Sequence, residues 1–496
     1  MGPLATVAVF AVVAACERGG TEAGRPASAI GNGDAPMPST TAFAPGTASM
    51  PAVDAAPPPV AGDASAGDAS VLDAADGSSP SANSGRVHAR TRLTPIRPKP
   101  DMKAEALGFF AYGGSLALAS PDPVGPCGEK RKDGSTPRFY AVEPKGFVCV
   151  DGVDATLDGT DPVVLALRRL GPKPGAYPFD YGVSKDLTFR RSLDGVDDPK
   201  WPPSLQDWHD GVAKGNTVAW SEEVTSKGKS WLRTSAMAWV DKRDVTPFPK
   251  TEFHGVVLGA DHALPLAFVR GTPRPKFRRS DAGKFEETKD TWDRHVAVDL
   301  TGEKVTVGRR TFWATKESGT WLSSNDATVL EGPSPRPAFT LPVDDRASWI
   351  EVATLKGWLL AYEGDKPVFA TLISAGKLGA SEKRPDAGQP PATTPLGTFP
   401  IESKYVTTNL VTPGDDGKED IHAEVQYSQR FVTIYLLHAA YWHDLWGEGR
   451  SGGCVNLSPR DSEWLFGWTS PKVPPGWYAV RRADAKDPAT IVVLHR

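Results

Sequence analysis

The sequence predicts a mostly β protein built of several domains. Its 496 residues are more than one hydrophobic core accommodates. Its 49 Gly and 46 Pro, beside 15 Trp, favour short strands and turns over long helices. A repeated tryptophan pair in the middle of the chain and alternating apolar runs after residue 346 agree with this class. Lys and Arg number 56 against 60 Asp and Glu, without a long basic block, so no nucleic-acid partner is expected.

The first residues predict an exported lipoprotein. Residues 4–15, LATVAVFAVVAA, form an apolar run suited to the core of a signal peptide. The VAAC that ends at Cys16 resembles a bacterial lipobox, so residues 1–16 are predicted to be a lipoprotein signal peptide and lipobox, with cleavage between Ala15 and Cys16 and lipidation of Cys16 as the mature N-terminus. Glu17 follows the cysteine, which is typical of lipoproteins sent to the outer membrane. The alternative is an uncleaved apolar N-terminus with an unrelated cysteine.

Residues 17–100 are interpreted as a disordered tether. They are rich in Ala, Pro, Gly, Ser, Thr and Asp, and Phe43 is their only aromatic residue. Such a segment cannot bury enough apolar surface to offset the entropy of ordering it. As a flexible coil it would span about 50 Å.

The remaining three cysteines divide into a pair and a single residue. Cys127 and Cys149 bracket a short segment of the small β module predicted at residues 101–160. In an exported protein this spacing predicts a disulfide, and two buried free thiols are the alternative. Cys454 is left without a partner, and an unpaired thiol in an oxidising compartment is a candidate reactive group.

The region from about residue 101 to 340 carries a weak internal repeat, whose two main copies lie in the β modules predicted at residues 161–345. WLRTSAMAWVDKRDV at residues 231–245 aligns with WATKESGTWLSSNDATV at residues 313–329, and a looser copy begins at Tyr140. A strand, a tight turn and a second strand with inward aromatics would give this pattern, which is typical of a small β-barrel. The copies resemble bacterial SH3-like modules. We interpret their aromatic pairs as core, with binding of wall polymer as the alternative. The segments between copies, 170–225 and 265–295, are predicted to be irregular connections.

A larger mostly β domain is predicted at residues 346–482. SWIEVATLKGWLLAYEGDKPVFATLISAGK contains three alternating apolar runs and predicts a β-meander. EVQYSQRFVTIYLLH supplies one or two further strands that end at His438. SPRDSEWLFGWTSP predicts one short helix that stops at Pro471. Residues 483–496 are predicted to be a C-terminal strand or tail.

The segment YLLHAAYWHDLWGEGRSGGCVNL carries the candidate chemistry. Cys454 follows Gly452 and Gly453, which allow close backbone approach to a ligand and exposed N–H groups that can donate to an oxyanion. The same positive potential is expected to lower the pKa of the thiol. A nucleophilic cysteine also needs a base, and His438 at the strand end and His443 in the following loop are the candidates.

Three interpretations of these residues remain open on physical grounds. The first is a thiol nucleophile with His438 as its base. The second is a metal site using His438, His443 and Cys454, although no HxH, HExxH or CxxC spacing supports it. The third is a buried free cysteine beside two ordinary histidines.

The order SAGK, TPLGTFPIESK, LLHAAYWHD and SGGCVNL resembles the catalytic domain of the L,D-transpeptidases, the YkuD family. The resemblance implies a β-sandwich-like fold, with Cys454 as the nucleophile and no cofactor. It implies that His438 accepts and donates the proton, oriented by a backbone carbonyl such as that of Ala439. It also implies an oxyanion hole formed by the N–H groups of Gly453 and Cys454.

The segment departs from the family pattern at two positions. Gly452 stands where the family usually has His, and Ala439 stands where it usually has Gly. The first departure removes a polar side chain beside the thiol and leaves room for a slow or degenerate enzyme. Five further residues are assigned weakly to substrate binding: Tyr427, Trp442, His443, Ser451 and Asn456.

The resemblance implies that the protein acts on peptidoglycan stem tetrapeptides. Cys454 would release the terminal D-alanine and form an acyl-enzyme, which an amine from another stem or from a protein lysine would resolve. Two alternatives remain: a degenerate wall-binding scaffold lipoprotein, and a hydrolase in which water replaces the amine. The expected form is a periplasmic monomer, held at the membrane by the lipid on Cys16.

Overall fold

The computed structural model describes residues 12–13, 85–202, 205, 211–339, 341–383, 392–413 and 419–496. All of these residues belong to one compact unit. The predicted lipidation site Cys16 and most of the predicted tether lie outside the described residues. None of the described helices is long and apolar enough to cross a membrane. The mostly β fold class is confirmed.

The C-terminal domain contains a six-stranded sheet. Its strands, in spatial order, are Val256–Val257, Lys366–Leu372, Trp358–Glu363, Ser348–Ala353, Ile491–His495 and Gly397–Pro400. The meander predicted from the three apolar runs supplies three of them. Ile491–His495 lies between Ser348–Ala353, to which it is parallel, and the edge strand Gly397–Pro400, so it is an interior strand of the sheet.

A second sheet packs against the first. Its main path is Thr94–Ile96, Gly108–Phe110, Ala479–Arg481, Ser403–Pro413, Glu419–Val432, Tyr435–Ala439 and Val455–Leu457, and Val12–Val13 pairs with residues 410–411. Side chains such as Ile350, Val352, Leu437, Val455 and Val492 fill the space between the sheets. The predicted β-sandwich-like fold is therefore confirmed.

The structure corrects the predicted end of the tether. Arg86–Ala89 pairs with Ser115–Ala117 and Ala155–Thr156, and Thr94–Ile96 extends the second sheet of the C-terminal domain. Val87 and Ile96 are fully buried. Ordered structure therefore begins well before residue 100. The prediction failed because these few alternating apolar residues do not change the overall composition of the segment.

The cysteine-containing module holds a small three-stranded sheet. Its strands are Gly125–Pro126, Arg138–Ala141 and Phe147–Val150. A disulfide joins Cys127 to Cys149, whose Cα atoms lie 5.9 Å apart.

The two tryptophan repeats share one topology. The first consists of Asp180–Ser184, Thr217–Ser226, Lys229–Thr234, Trp239–Asp241 and Val245–Pro247, with Leu187–Thr188 and Gly211–Val212 as a side ribbon. The second consists of Leu266–Val269, Ala297–Val307, Arg310–Thr315, Trp321–Ser323 and Ala327–Leu330, with the added hairpin Arg274–Arg279 and Phe285–Trp292. In both, the first strand pairs with the second and the fifth.

Two predictions about this region are wrong. The described strands form open sheets, so the closed barrels expected of SH3-like modules are not what these residues build. Segments 170–225 and 265–295, predicted to be irregular connections, supply strands of the two repeats. The prediction failed because the apolar alternation in these segments is short and interrupted by Pro and charged residues. The helix Pro162–Leu170, which begins at the N-cap Asp161, was not predicted.

The predicted short helix of the C-terminal domain is Pro459–Trp468. Its N-cap is Ser458, whose Oγ accepts a hydrogen bond from the N–H of Asp461 at 3.1 Å. At its other end the buried Lys404 donates to the carbonyls of Phe466 and Thr469. The helix begins two residues after Val455–Leu457, so these caps hold the strand that follows Cys454. The remaining elements are the 3₁₀ turn Lys242–Asp244 and the strand pair Ala380–Ser381 with Thr394–Pro395.

Candidate active site

The cysteine lies at the end of a tight turn, residues 451–454. The Ser451 hydroxyl donates to the carbonyl of Cys454 at 2.5 Å and accepts from the N–H of Gly453 at 2.9 Å. Gly453 has φ +132, and a Cβ there would lie 2.6 Å from the Tyr435 ring and 2.7 Å from the Thr393 carbonyl. A side chain at this position therefore meets both backbone strain and a clash.

This turn changes two expectations. The N–H of Gly453, predicted to serve the oxyanion hole, is engaged by Ser451 Oγ. The side chain of Ser451 is buried and engaged within the turn, which argues against the predicted substrate contact. Gly452 is exposed, and a Cβ there meets no atom within 4 Å.

Cys454 is partly buried, and backbone groups lie near its thiol. Its Sγ lies 3.9 Å from the carbonyl oxygen of Ile434, to which the S–H can donate weakly. Burial raises the pKa of Cys454 to about 11, and a hydrogen bond from the backbone of Leu436 lowers it by less. The expected lowered pKa is therefore wrong, because desolvation of the thiolate outweighs the polarity of the turn. The cysteine needs a base to become nucleophilic.

His438 has the protonation state that a base requires. Its Nδ1 lies 2.8 Å from the carbonyl oxygen of Ala439, which can only accept, so Nδ1 carries the proton and Nε2 is the free acceptor. Burial lowers the pKa of His438 to about 4, and the Ala439 carbonyl opposes this shift. The imidazole is consequently neutral at physiological pH.

The sheet places the two groups near each other. Tyr435–Ala439 and Val455–Leu457 are parallel, and His438 lies opposite Asn456. Cys454 directly precedes Val455, which pairs with Leu437, so the cysteine lies at the start of the strand next to the one that carries His438. Within the described residues no hydrogen bond joins the two side chains, and the thiol faces Ile434.

The second histidine of the segment orients an amide. The N–H of Leu445 donates to His443 Nδ1 at 3.3 Å, so the ring proton sits on Nε2. Nε2 lies 3.2 Å from the side-chain amide of Asn456, whose Oδ1 is otherwise buried without a partner. Turning the amide brings Oδ1 to Nε2–H and satisfies both groups. His443 therefore holds Asn456, two residues after the cysteine, and is not placed as its base.

Trp442, assigned weakly to substrate binding, lies next to His438 in an aromatic stack with His422, which was missed in the sequence. The Trp442 ring stacks on His422 with centroids 4.0 Å apart, and its centroid is 5.9 Å from that of His438. His422 is carried by Glu419–Val432, and burial lowers its pKa to about 4. His422 precedes His438 by 16 residues within an ordinary strand pattern, so no local signal marks it.

Another weakly assigned residue lies in the core. Tyr427 is buried, packs on Phe466, and donates its hydroxyl to the carbonyl of Gly175 at 2.7 Å. It therefore does not line a cleft. In the part of the chain that the structure describes, no group of three His, Cys, Asp or Glu side chains is arranged to hold a metal ion, so the metal interpretation gains no support.

One family model matches the part of the chain that contains this site. Residues 347–489, less than a third of the chain, match the model of the YkuD family, described as the L,D-transpeptidase catalytic domain. No curated protein sequence matches the chain.

Solved structures of L,D-transpeptidases are similar to this chain. The catalytic domain of the Enterococcus faecium enzyme is 23% identical over 30% of this chain and 96% of its own, with a TM-score of 0.22. The same domain acylated by ertapenem is 20% identical over 32% of this chain and 100% of its own, with a TM-score of 0.22. The Mycobacterium smegmatis enzyme is 13% identical over 56% of this chain and 99% of its own, with a TM-score of 0.22.

Proposed function

We propose that this chain, whose residues 347–489 form an L,D-transpeptidase catalytic domain, cross-links peptidoglycan through a thioester on Cys454. The observation that supports the proposal is the pairing of Tyr435–Ala439, which carries His438, with Val455–Leu457, which directly follows Cys454. His438 offers a fixed Nε2 acceptor, and the buried thiol requires one. Together they form a base and nucleophile pair.

The first half-reaction acylates the cysteine. Nε2 of His438 takes the thiol proton as the sulfur attacks the carbonyl carbon of the third residue of a stem tetrapeptide. The bond between the third and fourth residues then breaks, and the terminal D-alanine leaves as an amine with the proton from His438. For this step the side chain of Cys454 must turn from Ile434 towards His438.

The second half-reaction transfers the acyl group. An amine of a second stem attacks the thioester, and Nε2 of His438 takes a proton from the amine. The carbon–sulfur bond then breaks, and the Cys454 thiolate recovers that proton from His438. In each step the N–H of Cys454 can donate to the oxyanion. The N–H of Gly453 can also donate to it after its hydrogen bond to Ser451 Oγ is broken. Conserving bond energy in a thioester suits a compartment without ATP.

We further propose an envelope location with a lipid anchor on Cys16. The support is the apolar run at residues 4–15 and the lipobox-like VAAC. Cys16→Ser should move the protein from the membrane fraction to the soluble fraction. Unchanged membrane association of this variant would contradict the anchor.

Mass spectrometry of reaction products tests the proposed activity. The full chain is incubated with a disaccharide-tetrapeptide, with Cys454→Ala as the matched control. Cross-linked dimer, formed by the wild type only, is the expected result. Loss of D-alanine without dimer would replace the transferase with a hydrolase, and no product would favour a degenerate scaffold.

A further inference from the structure

The long strand Glu419–Val432 contains a bulge beside the aromatic stack. His422 pairs with Leu410 and Val425 pairs with Thr408, so Ala423 and Glu424 together lie opposite Asn409. Asn409 Oδ1 accepts the N–H of Glu424 at 2.9 Å. A bulge of this kind takes backbone groups out of the ladder, and Ala423 is left needing partners for its N–H and its carbonyl.

Those partners form a closed ring of three hydrogen bonds. The N–H of Ala423 donates to Thr217 Oγ1 at 2.7 Å, and the carbonyl of Ala423 accepts from the Tyr441 hydroxyl at 2.7 Å. The two hydroxyls lie 2.7 Å apart, and because Tyr441 donates to the carbonyl, Thr217 donates to Tyr441. Each hydroxyl therefore donates once and accepts once, and both side chains are buried.

The hydrogen-bond ring includes the chain neighbours of the two stacked side chains His422 and Trp442. Ala423 follows His422 and Tyr441 precedes Trp442, so both members of the stack beside His438 are attached to it. Thr217 belongs to the first tryptophan repeat, outside the family match at residues 347–489.

The same repeat makes a second contact. The Tyr441 ring stacks on Tyr181, with centroids 3.9 Å apart, and the Tyr181 hydroxyl donates to the carbonyl of Glu424 at 3.0 Å. Tyr181 lies in the strand that pairs with Thr217–Ser226. Two adjacent strands of the repeat, through Thr217 and Tyr181, thus contact both the bulge and Tyr441, near the start of the segment that leads from His438 to Cys454.

A third contact fixes that segment further along. Asp444 accepts from Thr251 Oγ1 at 2.7 Å and from Trp446 Nε1 at 2.8 Å, and it pairs with Arg294 at 3.0 Å. Residues that precede the family match therefore hold the segment at Tyr441 and again at Asp444.

We propose that Thr217 is a positioning residue for the base of the proposed reaction, acting through Tyr441 and Ala423 on the stack that covers His438. The repeat at residues 180–247 is then part of the catalytic unit rather than a spacer. This inference rests on the proposed function for its effect on rate, but its structural effect on His438 is independent of that function.

The test compares Thr217→Val with Thr217→Ser in the full chain. Val keeps the shape of Thr and removes the hydroxyl, so the ring opens, whereas Ser keeps the hydroxyl and the ring. Thr225→Val, at an exposed position of the same strand, is the matched control. Tyr441→Phe opens the ring from its other side and replaces Thr217→Val if that variant does not fold.

The first readout is the pKa of His438, measured by NMR of labelled histidine rings. The other titratable groups that act on His438 are His422 from the long strand and His443 from the loop, so all three rings are followed. Opening the ring should admit water and raise the pKa of His438 by about one unit towards its ordinary value. Thr217→Ser and Thr225→Val should leave it unchanged.

The second readout is single-turnover acylation by a carbapenem. Thr217→Val should slow acylation about tenfold, and Thr217→Ser should restore it. An acylated wild type beside an unchanged Thr217→Val, in both pKa and rate, would overturn the inference and leave the proposed function standing. A wild type that is not acylated would contradict the proposed function, and the His438 pKa would then decide the inference alone.

Discussion

Two adjacent glycines of the cysteine turn should respond very differently to the same substitution. Gly453→Ala places a methyl group at φ +132, where it would lie 2.6 Å from the Tyr435 ring and 2.7 Å from the Thr393 carbonyl. Gly452→Ala places the same methyl group in open space, at a position without a positive φ. The pair therefore separates backbone strain and clash from any general effect of replacing glycine.

The expected size follows from those two costs. A residue forced into a glycine-only backbone region loses about 1 to 3 kcal/mol, and overpacking against groups that cannot move loses about 1 to 3 kcal/mol more. Gly453→Ala should therefore lower the free energy of unfolding by about 2 to 6 kcal/mol. Gly452→Ala should change it by less than about 1 kcal/mol, since its main effect is on the unfolded chain.

Urea unfolding and single-turnover acylation by a carbapenem measure both consequences. Displacing the turn moves Cys454, so Gly453→Ala should also slow acylation at least tenfold relative to Gly452→Ala. If Gly453→Ala were as stable and as rapidly acylated as Gly452→Ala, the described turn would not be the conformation that presents the cysteine.

Three other outcomes follow from the structure. His438→Ala should slow acylation about 10²-fold or more at neutral pH, and a larger loss in His443→Ala would exchange their roles. Burial lowers the pKa of His422 to about 4, so its contribution to the free energy of unfolding is complete above pH 6.5 and is lost as pH falls through 4. In His422→Gln the free energy of unfolding should therefore fall by about 3 kcal/mol less over this pH range. A pH profile of urea unfolding equal to that of the wild type would contradict burial of His422 in its neutral form. Replacing both Cys127 and Cys149 by Ala should lower the free energy of unfolding by about 3 kcal/mol, since their disulfide closes a loop of 22 residues, and wild-type stability of the double variant would contradict this.

The sequence carries the parts of the site that are local. The two glycines before Cys454 and the strand that ends near His438 are visible as short patterns, and the strand that carries His438 pairs with the strand that directly follows Cys454. The Asp/Ser start and the following Pro471 likewise predict the helix Pro459–Trp468. In each case the interaction that decides the structure joins neighbours in the chain.

The parts that could not be predicted depend on distant contacts. Thr217 reaches Ala423 and Tyr441 only because a bulge removes Ala423 from its ladder, and no pattern near residue 217 indicates this. The pKa of Cys454 is a similar case. Local polarity at the turn predicts a lowered pKa, but the folded chain buries the thiol, and this desolvation raises its pKa to about 11.

The most direct test of the account is the mass of the protein itself after mixing with a stem tetrapeptide and no acceptor amine. The account predicts an added mass equal to the donor without its terminal D-alanine, located on Cys454 by peptide mapping and lost in Cys454→Ala. An adduct that persists in Cys454→Ala, or a wild type that remains unmodified while D-alanine is not released, would contradict the cysteine acyl-enzyme.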